Sequence, residues 1–406
     1  MRWVRTRRVP IIVSAVFCSL ATGFFPLWTT LTAPRSRGGW QIQGDLWATQ
    51  LAARALVHGD FAGIYTPSTA LVSFPGITVP LAPAIWLSEA LHWPIQNPSH
   101  ATVTFPTGWL WIEIVSVAVS LVAVFAADAL STTLGVTPRK RFVTVGLVAV
   151  ALWNVVVWWG HPEDALAIGF VMFATNNVFE QRWERAGWFA GLAVAMQPVS
   201  LLALPVLAAQ LPNSYRRSSL LRCCVPSVVV LAGPLITSWS KTVRVLVNQP
   251  NYPTVDHTTW LTALAPALGH HSVAAGPLRL VAVVAVAAGG WLLARRYNAN
   301  ATLLVWMVAI SFSVRVLAEP VMVAYYVWPV LAFSLVAAGK TSWIRLVLVG
   351  ALSTGATVFG DAAWKGNLSW WALETALTLS ALALAWPVRN EVVGLEKTTS
   401  KEGALL

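Results

Sequence analysis

The sequence predicts an all-α protein that crosses a membrane many times. Of its 406 residues, 57% are hydrophobic and only 11% are charged, and the mean hydropathy is +0.65. Soluble proteins carry about 25% charged residues, so this chain lacks the polar surface to face water on all sides. Apolar runs of about 17 residues or more recur along it, and each can cross the hydrocarbon core of a bilayer. We therefore predict one integral membrane domain over residues 1–406, and we exclude a soluble enzyme and a disulfide-built secreted domain.

The positions of these runs predict about ten spans. They lie at 9–31, 109–130, 142–159, 165–179, 222–240, 277–294, 301–317, 320–338, 346–360 and 369–387. Lysine and arginine residues next to spans collect on the cytoplasmic side of a membrane. In this sequence, basic clusters precede the first predicted span and then occur in alternate connections between the later spans. The pattern predicts a multi-pass protein of the plasma membrane with cytoplasmic N- and C-termini, the latter in a short polar tail at 390–406.

The net charge of +11 does not indicate a nucleic-acid partner, because the basic residues lie mostly at the ends of apolar segments. Three cysteines, Cys18, Cys223 and Cys224, have no spacing that builds a metal site or a disulfide framework. The adjacent Cys223 and Cys224 could carry a covalent lipid, although ordinary packing explains them better.

Residues 186–210 do not fit this alternation of basic connections if they cross the membrane only once. Basic residues lie on both sides of them: Arg182, Arg185, Arg216, Arg217 and Arg222. Pro198, near the middle, removes a backbone donor and breaks a helix. Two half-helices that meet at Gln197 and Pro198, a re-entrant hairpin, would keep both basic clusters inside. A kinked single span with one exception to the charge rule is the alternative.

Two connections between spans are long and are predicted to lie outside, at 32–108 and 241–276. The first contains an apolar stretch at 69–93 that three prolines make too irregular to span. We predict one or two interfacial helices there, lying along the outer surface of the membrane.

Ionisable groups at a membrane are candidate functional groups, because a buried charge is costly unless it is paired or hydrated. Asp45 follows Gly44 just after the first span, where the spacing of leucine and alanine indicates that a helix begins. For an isolated aspartate at such a place, a helix N-cap is the simpler interpretation. Asp60, after Gly59, is typical of a turn.

The second candidate is the short connection 160–164, with the sequence Gly-His-Pro-Glu-Asp. Pro162, Glu163 and Asp164 also form an ordinary helix start, since acids in the first turn interact well with the helix dipole. That interpretation does not explain why His161 adjoins two acids in so short a connection between apolar spans.

The other ionisable residues occur singly. Arg315 and Glu319 are four residues apart, so a structural ion pair fits them as well as a ligand contact. Glu113 lies near the outer end of the second predicted span, and Arg244 and His257 face outward in the predicted topology, where they could bind phosphate. No Gly-rich nucleotide loop and no convincing metal-ligand spacing occurs, so we predict no metal and no cofactor.

Three segments match a known group of enzymes in order and spacing. They are Gly44-Asp45 with the later Gly63 to Tyr65, Gly160-His161-Pro162-Glu163-Asp164-Ala165-Leu166, and Ala186-Gly187 through Leu204-Pro205. Together they resemble the GT-C superfamily of membrane glycosyltransferases, and within it the actinobacterial type (glycosyltransferase family 87) that uses polyprenyl-phosphate-mannose. The resemblance covers about the first half of the chain. It departs from the family at Gln197, where the family usually has lysine before proline.

The resemblance implies a GT-C-like fold and transfer of a sugar, mannose above all, from a polyprenyl-phosphate-sugar donor to a glycolipid or glycan acceptor at the outer membrane face. Such a transfer needs a base for the acceptor hydroxyl and assistance for the departing phosphate. The implied base is Asp45, with inversion at the anomeric carbon. The implied substrate-binding residues are His161, Glu163, Asp164, Gln197, Arg244, His257 and Arg315. Membrane lipids are the remaining implied partners.

Two other functions fit the same residues. A transporter or lipid flippase builds its site from broken helices such as 186–210. Against it, the C-terminal half has no second broken hairpin, and the candidate polar residues crowd the outer face. A non-catalytic scaffold of a cell-envelope complex would explain why Gln197 replaces the family's lysine. Substitution of Asp45 by asparagine separates these functions, because only an enzyme would lose transfer while it still folds.

Overall fold

The computed structural model describes residues 7–32, 43–66, 71, 73–93, 112–247, 258–265, 267–269, 272–273, 276–296, 300–363 and 368–387. Within these ranges the chain is helical apart from one short antiparallel strand pair, β1 (Ala267–Gly269) and β2 (Ser272–Val273). The predicted tail at 390–406 and the candidate His257 lie outside the described residues.

The α-helices of the described residues follow one another in chain order. They are α1 (Arg8–Ser19), α2 (Phe25–Thr32), α3 (Gly44–Val57), α4 (Thr78–Ala90), α5 (Ile114–Ser120), α6 (Val122–Thr133), α7 (Pro138–Trp153), α8 (Pro162–Phe179), α9 (Trp183–Met196), α10 (Leu204–Ala209), α11 (Asn213–Thr237), α12 (Trp239–Val247), α13 (Gly276–Arg296), α14 (Ala301–Ala318), α15 (Trp328–Ala338), α16 (Trp343–Ala363) and α17 (Leu368–Leu384). Single turns of π-helix follow α1 and α7, at Leu20–Phe24 and Asn154–Trp158. Short 3-10 turns occupy Phe61–Gly63, Pro75–Ile77, Pro198–Leu202, Thr262–Leu264 and Ala324–Val327.

Six helical stretches of the described chain are long and apolar enough to cross a membrane. They are Arg8–Thr29, Ile114–Thr133, Pro138–Trp158, Asn213–Thr237, Ala301–Ala318 and Trp343–Gly360. The helical structure with six such stretches is consistent with the predicted α-helical polytopic membrane protein. Helices α8, α13, α15 and α17 occupy the other predicted spans.

Helix α15 forms the centre of the bundle. Every residue from Trp328 to Ala338 is buried, and the helix packs against α7, α14, α16 and α17. On the N-terminal side, α8 packs between α6 and α9. Apolar residues therefore surround α15 inside the bundle.

The chain reverses direction after α9. Gln197 is extended, with φ −147° and ψ 118°, and the following 3-10 turn and α10 return the chain to the start of α11. Helices α9 and α11 then run side by side. A Cβ on Gly187 would lie 2.4 Å from the Ser219 carbonyl oxygen, and a Cβ on Gly191 would lie 2.5 Å from the Cys223 carbonyl oxygen. The contacts advance in the same order along both helices, so the two helices are parallel. These two glycines allow the close contact.

The basic residues before and after this reversal lie at one end of the molecule. Arg222 on α11 forms an ion pair of 3.0 Å with Glu184 at the start of α9. We call this end the arginine-rich end and define it by the ion-paired or hydrogen-bonded residues Arg7, Arg141, Arg182, Arg222 and Arg345.

Polar contacts fasten the helices together at the arginine-rich end. Asp128 on α6 is fully buried and binds both Arg7 at 3.1 Å and Arg141 at 2.8 Å. On the other side of the bundle, the Arg345 side chain donates to the Leu384 carbonyl oxygen at 2.9 Å. Asp128 and the Leu384 carbonyl oxygen each meet an arginine here, which offsets part of the cost of burying them.

Two helices from the predicted outer loop cover the opposite end of the bundle. Helices α3 and α4 pack on each other, and their apolar side chains meet the start of α8 and the end of α9. The shared apolar cluster consists of Leu46, Ala53, Ile77, Leu81, Ile85, Ile112, Leu166, Ala167 and Met196. A helix therefore forms within the stretch predicted to be interfacial, and it positions the start of α3 over α8.

Candidate functional site

Asp45 lies in the first turn of α3 and not at its N-cap. The N-cap position belongs to Gln43, so the N-cap interpretation of Asp45 is wrong. The Asp45 side chain instead reaches across to a distant part of the sequence, where its Oδ2 lies 3.0 Å from Nε2 of His161. The sequence separation of these two residues is 116, and their contact joins α3 to the connection between α7 and α8.

A tight backbone turn positions His161. The π-helical turn at Asn154–Trp158 ends α7, and the backbone N–H of His161 then donates to the Val155 carbonyl oxygen at 2.8 Å. Gly160 has φ +72°, which glycine adopts without strain. A Cβ at this position would lie 2.8 Å from Cβ of Gln43 and 2.9 Å from Cβ of Leu46. Glycine therefore lets the start of α3 lie directly against the turn.

His161 links two carboxylates. Its Nδ1 lies 2.7 Å from Oε1 of Glu163, and its Nε2 faces Asp45. The exposed fraction of the side chain is 9% for His161, 5% for Glu163 and 41% for Asp45. The result is a row of three groups that begins buried in the bundle and ends at a carboxylate that solvent or a substrate can reach.

The charges in this row favour a protonated His161. Burial alone would lower the pKa of His161, but the charges of Glu163 and Asp45 and their hydrogen bonds raise it well above its ordinary value. Burial likewise tends to raise the pKa of Asp45, but the hydrogen bond and charge of His161 outweigh this effect and lower it. Burial raises the pKa of Glu163, although His161 counteracts this effect. Near neutral pH, a protonated His161 therefore lies beside an ionised Asp45.

Arg315 joins the same site from α14. Its Nη1 lies 3.3 Å from Oδ1 of Asp164, and both side chains are buried. Helix α14 ends at Ala318, and Glu319 follows it in extended backbone. The ion pair between Arg315 and Glu319 stays a prediction. We call Asp45, His161, Glu163, Asp164 and Arg315 the polar cluster.

Aromatic rings lie beside the polar cluster, and no sequence pattern singled them out. The Tyr325 ring lies 4.2 Å from the His161 ring and 5.6 Å from that of Trp159, between centroids. The Arg315 guanidinium lies over Tyr326, 3.7 Å from the ring centroid. Aromatic residues at span ends are typical of the membrane interface, so no local signal distinguished these rings.

Gln43 and Glu113 support the start of α3. The Gln43 amide donates to the Val157 carbonyl oxygen, and its side chain also hydrogen-bonds Glu113, which is buried just before α5. These contacts join α3, α5 and the π-helical turn, so the position of Asp45 is held from several directions.

The structure does not bring all of the predicted site residues together. Gln197 lies at the chain reversal, and Arg244 is exposed on α12. Neither forms a hydrogen bond or an ion pair with the polar cluster in the described part of the chain. Five of the predicted site residues therefore lie together, while His257 lies outside the described residues.

Some members of the polar cluster could also hold a metal ion. His161, Glu163 and Asp164 offer ligand atoms that lie within 4.8 Å of one another. Among the described residues, Glu163 Oε2 and Asp164 Oδ2 are buried without a hydrogen-bond partner. Because a metal needs a neutral imidazole, the proton that His161 shares with its carboxylates would compete with a cation.

Comparison of the sequence with protein-family models and with curated proteins found no match. What the polar cluster can do follows from its geometry. Asp45 can accept a proton from a bound hydroxyl group, since it is ionised and reachable. Arg315 and the neighbouring tyrosine rings can contact an anion or the face of a sugar.

Proposed function

We propose that this protein is a membrane glycosyltransferase of the GT-C type. It transfers a sugar, mannose in the first instance, from a polyprenyl-phosphate-sugar donor to a hydroxyl group of a glycolipid or glycan. The observation that carries the proposal is the contact between Asp45 and the buried His161–Glu163 pair. A reachable carboxylate held by a buried pair at one end of a membrane bundle suits a general base for a lipid-linked substrate.

Asp45 is the base in this mechanism. Its carboxylate removes the proton of the acceptor hydroxyl, and the acceptor oxygen forms a bond to the anomeric carbon. The bond between that carbon and the phosphate oxygen breaks at the same time, and the phosphate leaves with the electron pair. Attack opposite to the leaving group inverts the anomeric configuration.

His161 and Glu163 position Asp45. The imidazolium keeps Asp45 ionised before the reaction, and the hydrogen bond fixes the direction of the carboxylate. Glu163 in turn fixes the ring of His161 through Nδ1. Glu163 thus acts on the base indirectly, by orienting the histidine that contacts it.

Arg315 is the arginine of the polar cluster. A guanidinium has five N–H donors, and Asp164 occupies one of its nitrogens. The remaining donors can bind the phosphate of the donor as it leaves, while the Tyr326 ring holds the guanidinium in place.

The proposed topology places the polar cluster at the outer membrane face. We propose about ten spans, cytoplasmic N- and C-termini, and a re-entrant hairpin at 186–210. The separation between the arginine-rich end and the polar cluster supports this orientation, because basic residues favour the cytoplasmic side. A polyprenyl-phosphate-sugar in the outer leaflet would then meet Asp45 without leaving the membrane.

Transfer from a labelled donor tests the proposal. Membranes with the wild-type protein are expected to transfer labelled mannose from polyprenyl-phosphate-mannose, and Asp45→Asn is expected to lower the rate at least about 100-fold. The matched control is Asp60→Asn. Asp60 is an exposed acid of the same outer segment, and the asparagine can still accept the hydrogen bond from the Gly63 N–H.

Three results would contradict the proposal in different ways. Equal transfer by wild type and Asp45→Asn would reject Asp45 as the base. Equal losses of transfer rate in Asp45→Asn and Asp60→Asn would mean that both substitutions act on folding. If the wild-type protein transfers neither mannose nor arabinose from its polyprenyl phosphate, the enzyme proposal fails and a transporter or scaffold is favoured.

A further inference from the structure

A groove runs along the outside of α11 at the arginine-rich end, far from the polar cluster. It encloses about 430 Å³. The residues that line it are Asn213, Arg216, Arg217, Leu220, Leu221 and Cys224. They recur at helical spacing, so they form one face of the first three turns of the helix. This face does not take part in the proposed transfer of sugar.

The first turns of the groove carry unsatisfied positive charge. Arg217 is exposed and forms no ion pair or hydrogen bond in the described part of the chain. Arg216 lies over the Trp291 ring and donates from Nη2 to the Leu211 carbonyl oxygen, but its buried Nε has no partner there. By contrast, Arg222 on the same helix is paired with Glu184. No carboxylate lines the groove, so it is suited to an anion.

Beyond the arginines the groove becomes apolar. Leu221 is 60% exposed, and Leu220 and Cys224 are also exposed. The same helix then presents Val228 and Val229, which are 63% and 66% exposed. Only 17% of the apolar window of this helix is buried, so most of its surface is exposed and would face hydrocarbon chains if the helix spans a membrane. The groove therefore passes from cations to hydrocarbon contacts within about 16 Å, or three helical turns.

We propose that this groove binds an anionic phospholipid of the leaflet at the arginine-rich end. The phosphate lies on Arg216 and Arg217, and one acyl chain runs along Leu220, Leu221 and Cys224. Both ends of the groove match this ligand: two cations without a carboxylate suit an anionic headgroup, and the exposed leucines suit a chain. The site is independent of the proposed glycosyltransferase activity.

Lipid retention by the full-length protein tests this site. The protein is reconstituted in nanodiscs of equimolar phosphatidylglycerol and phosphatidylcholine, extracted, and examined by native mass spectrometry. Wild type is expected to retain phosphatidylglycerol preferentially, and Arg217→Gln to lower its retention about fivefold. The matched control is Arg139→Gln, which removes an exposed arginine near the start of α7 at the same end.

A second pair of variants tests the apolar part of the groove. Cys224→Trp fills the groove with a large ring and is expected to abolish lipid retention although both arginines remain. Cys224→Ser keeps the volume and is expected to behave like wild type. Thermal unfolding of each variant establishes that it is folded.

Several outcomes would overturn the proposal. Equal losses of phosphatidylglycerol retention in Arg217→Gln and Arg139→Gln would show that general surface charge attracts the lipid. Equal retention of phosphatidylglycerol and phosphatidylcholine would remove the role of the arginines. A mass on Cys224 that survives collisional activation would identify a covalent acyl group as the occupant in place of a bound lipid.

Discussion

Both ring nitrogens of His161 face carboxylates, so the proton on this ring sets the charge around Asp45. With the ring protonated, a positive charge lies beside the ionised Asp45, and loss of the proton removes the charge that stabilises this carboxylate. Because the pKa of His161 is raised, this contribution to stability is complete below its ordinary value of 6.5. It is lost as the pH rises through the higher pKa of the folded protein.

His161→Gln tests this coupling through the pH dependence of sugar transfer. The wild-type His161 lowers the pKa of Asp45, so Asp45 stays ionised well into the acid range. Glutamine removes that cation, and burial then raises the pKa of Asp45. Since a general base works only when ionised, we expect the acid limb of the pH–rate profile to move to higher pH. The measurement is the transfer rate between about pH 4 and pH 9.

A histidine outside the polar cluster is the control for this measurement. His58 is exposed and contacts Glu89, and His58→Gln is expected to leave the pH–rate profile unchanged. If the profiles of His161→Gln and wild type coincide, His161 does not control the ionisation of Asp45.

The residue pairs of the site show what a sequence can and cannot predict. His161, Glu163 and Asp164 were selected because a histidine and two acids in a short apolar connection have no simple structural explanation. The pairing of Asp164 with Arg315 has no such local signal, since their sequence separation is 151. Only the tertiary structure, which brings Arg315 near the end of α14 to Asp164 at the start of α8, decides it. Local spacing suggested only Glu319 as a partner of Arg315.

Among the elements, the turn between α7 and α8 depends most on a single residue. Gly160→Ala would place a methyl group in left-handed backbone, 2.8 Å from Cβ of Gln43. We expect a loss of about 1–3 kcal/mol in stability from the backbone strain. The clash should also move α3 away from the turn and lower the transfer rate by separating Asp45 from His161. Thermal unfolding and transfer assays measure both effects.

A glycine in the middle of α7 provides the comparison. A Cβ on Gly146 would have no atom within 4 Å, so Gly146→Ala should be neutral or stabilise the helix by up to about 1 kcal/mol. If both variants behave like wild type, the turn has enough freedom to accept a side chain, and the fixed position of α3 is not required.

The helices were easier to predict than the distortions within them. The start of α3 near Asp45 and the break at Gln197 follow from leucine spacing and from a proline. The π-helical turn at Asn154–Trp158 does not, because its apolar residues suit an ordinary helix equally well. A distant contact stabilises the end of α7: the Asn154 amide donates to the Thr357 carbonyl oxygen at 3.0 Å.

At the scale of the whole molecule, the arginine-rich end and the polar cluster lie apart in the described part of the chain. Sequence alone predicted this division, because basic residues at span ends obey a simple rule while the lengths of apolar runs are fixed by the bilayer. The sequence did not show which carboxylates the arginines pair with. The pairing of Asp128 with both Arg7 and Arg141 required knowledge of which helices are neighbours.

Labelling of introduced cysteines tests the proposed orientation and the hairpin. In a variant whose native cysteines are replaced by serine, Arg185→Cys and Arg217→Cys should react with a membrane-impermeant maleimide from the same side. Asp60→Cys should react only from the opposite side. These three positions are exposed, so protein packing does not hide them. Reaction of the first two from opposite sides would mean that residues 186–210 cross the membrane once.

The contacts at the arginine-rich end hold one end of several long helices in place. Asp128 holds Arg7 and Arg141 together there, while the other ends of the same helices carry or adjoin the polar cluster. The stretch Pro138–Trp158 has 21 residues, which corresponds to a length of roughly 30 Å. A tilt of about 3° around its fastened end displaces the far end by about 1.5 Å, enough to break a hydrogen bond of ordinary length. A tilt of α7 relative to α3 by this amount would separate His161 from Asp45, so the contacts that fix α7 at the arginine-rich end also preserve the geometry of the proposed base.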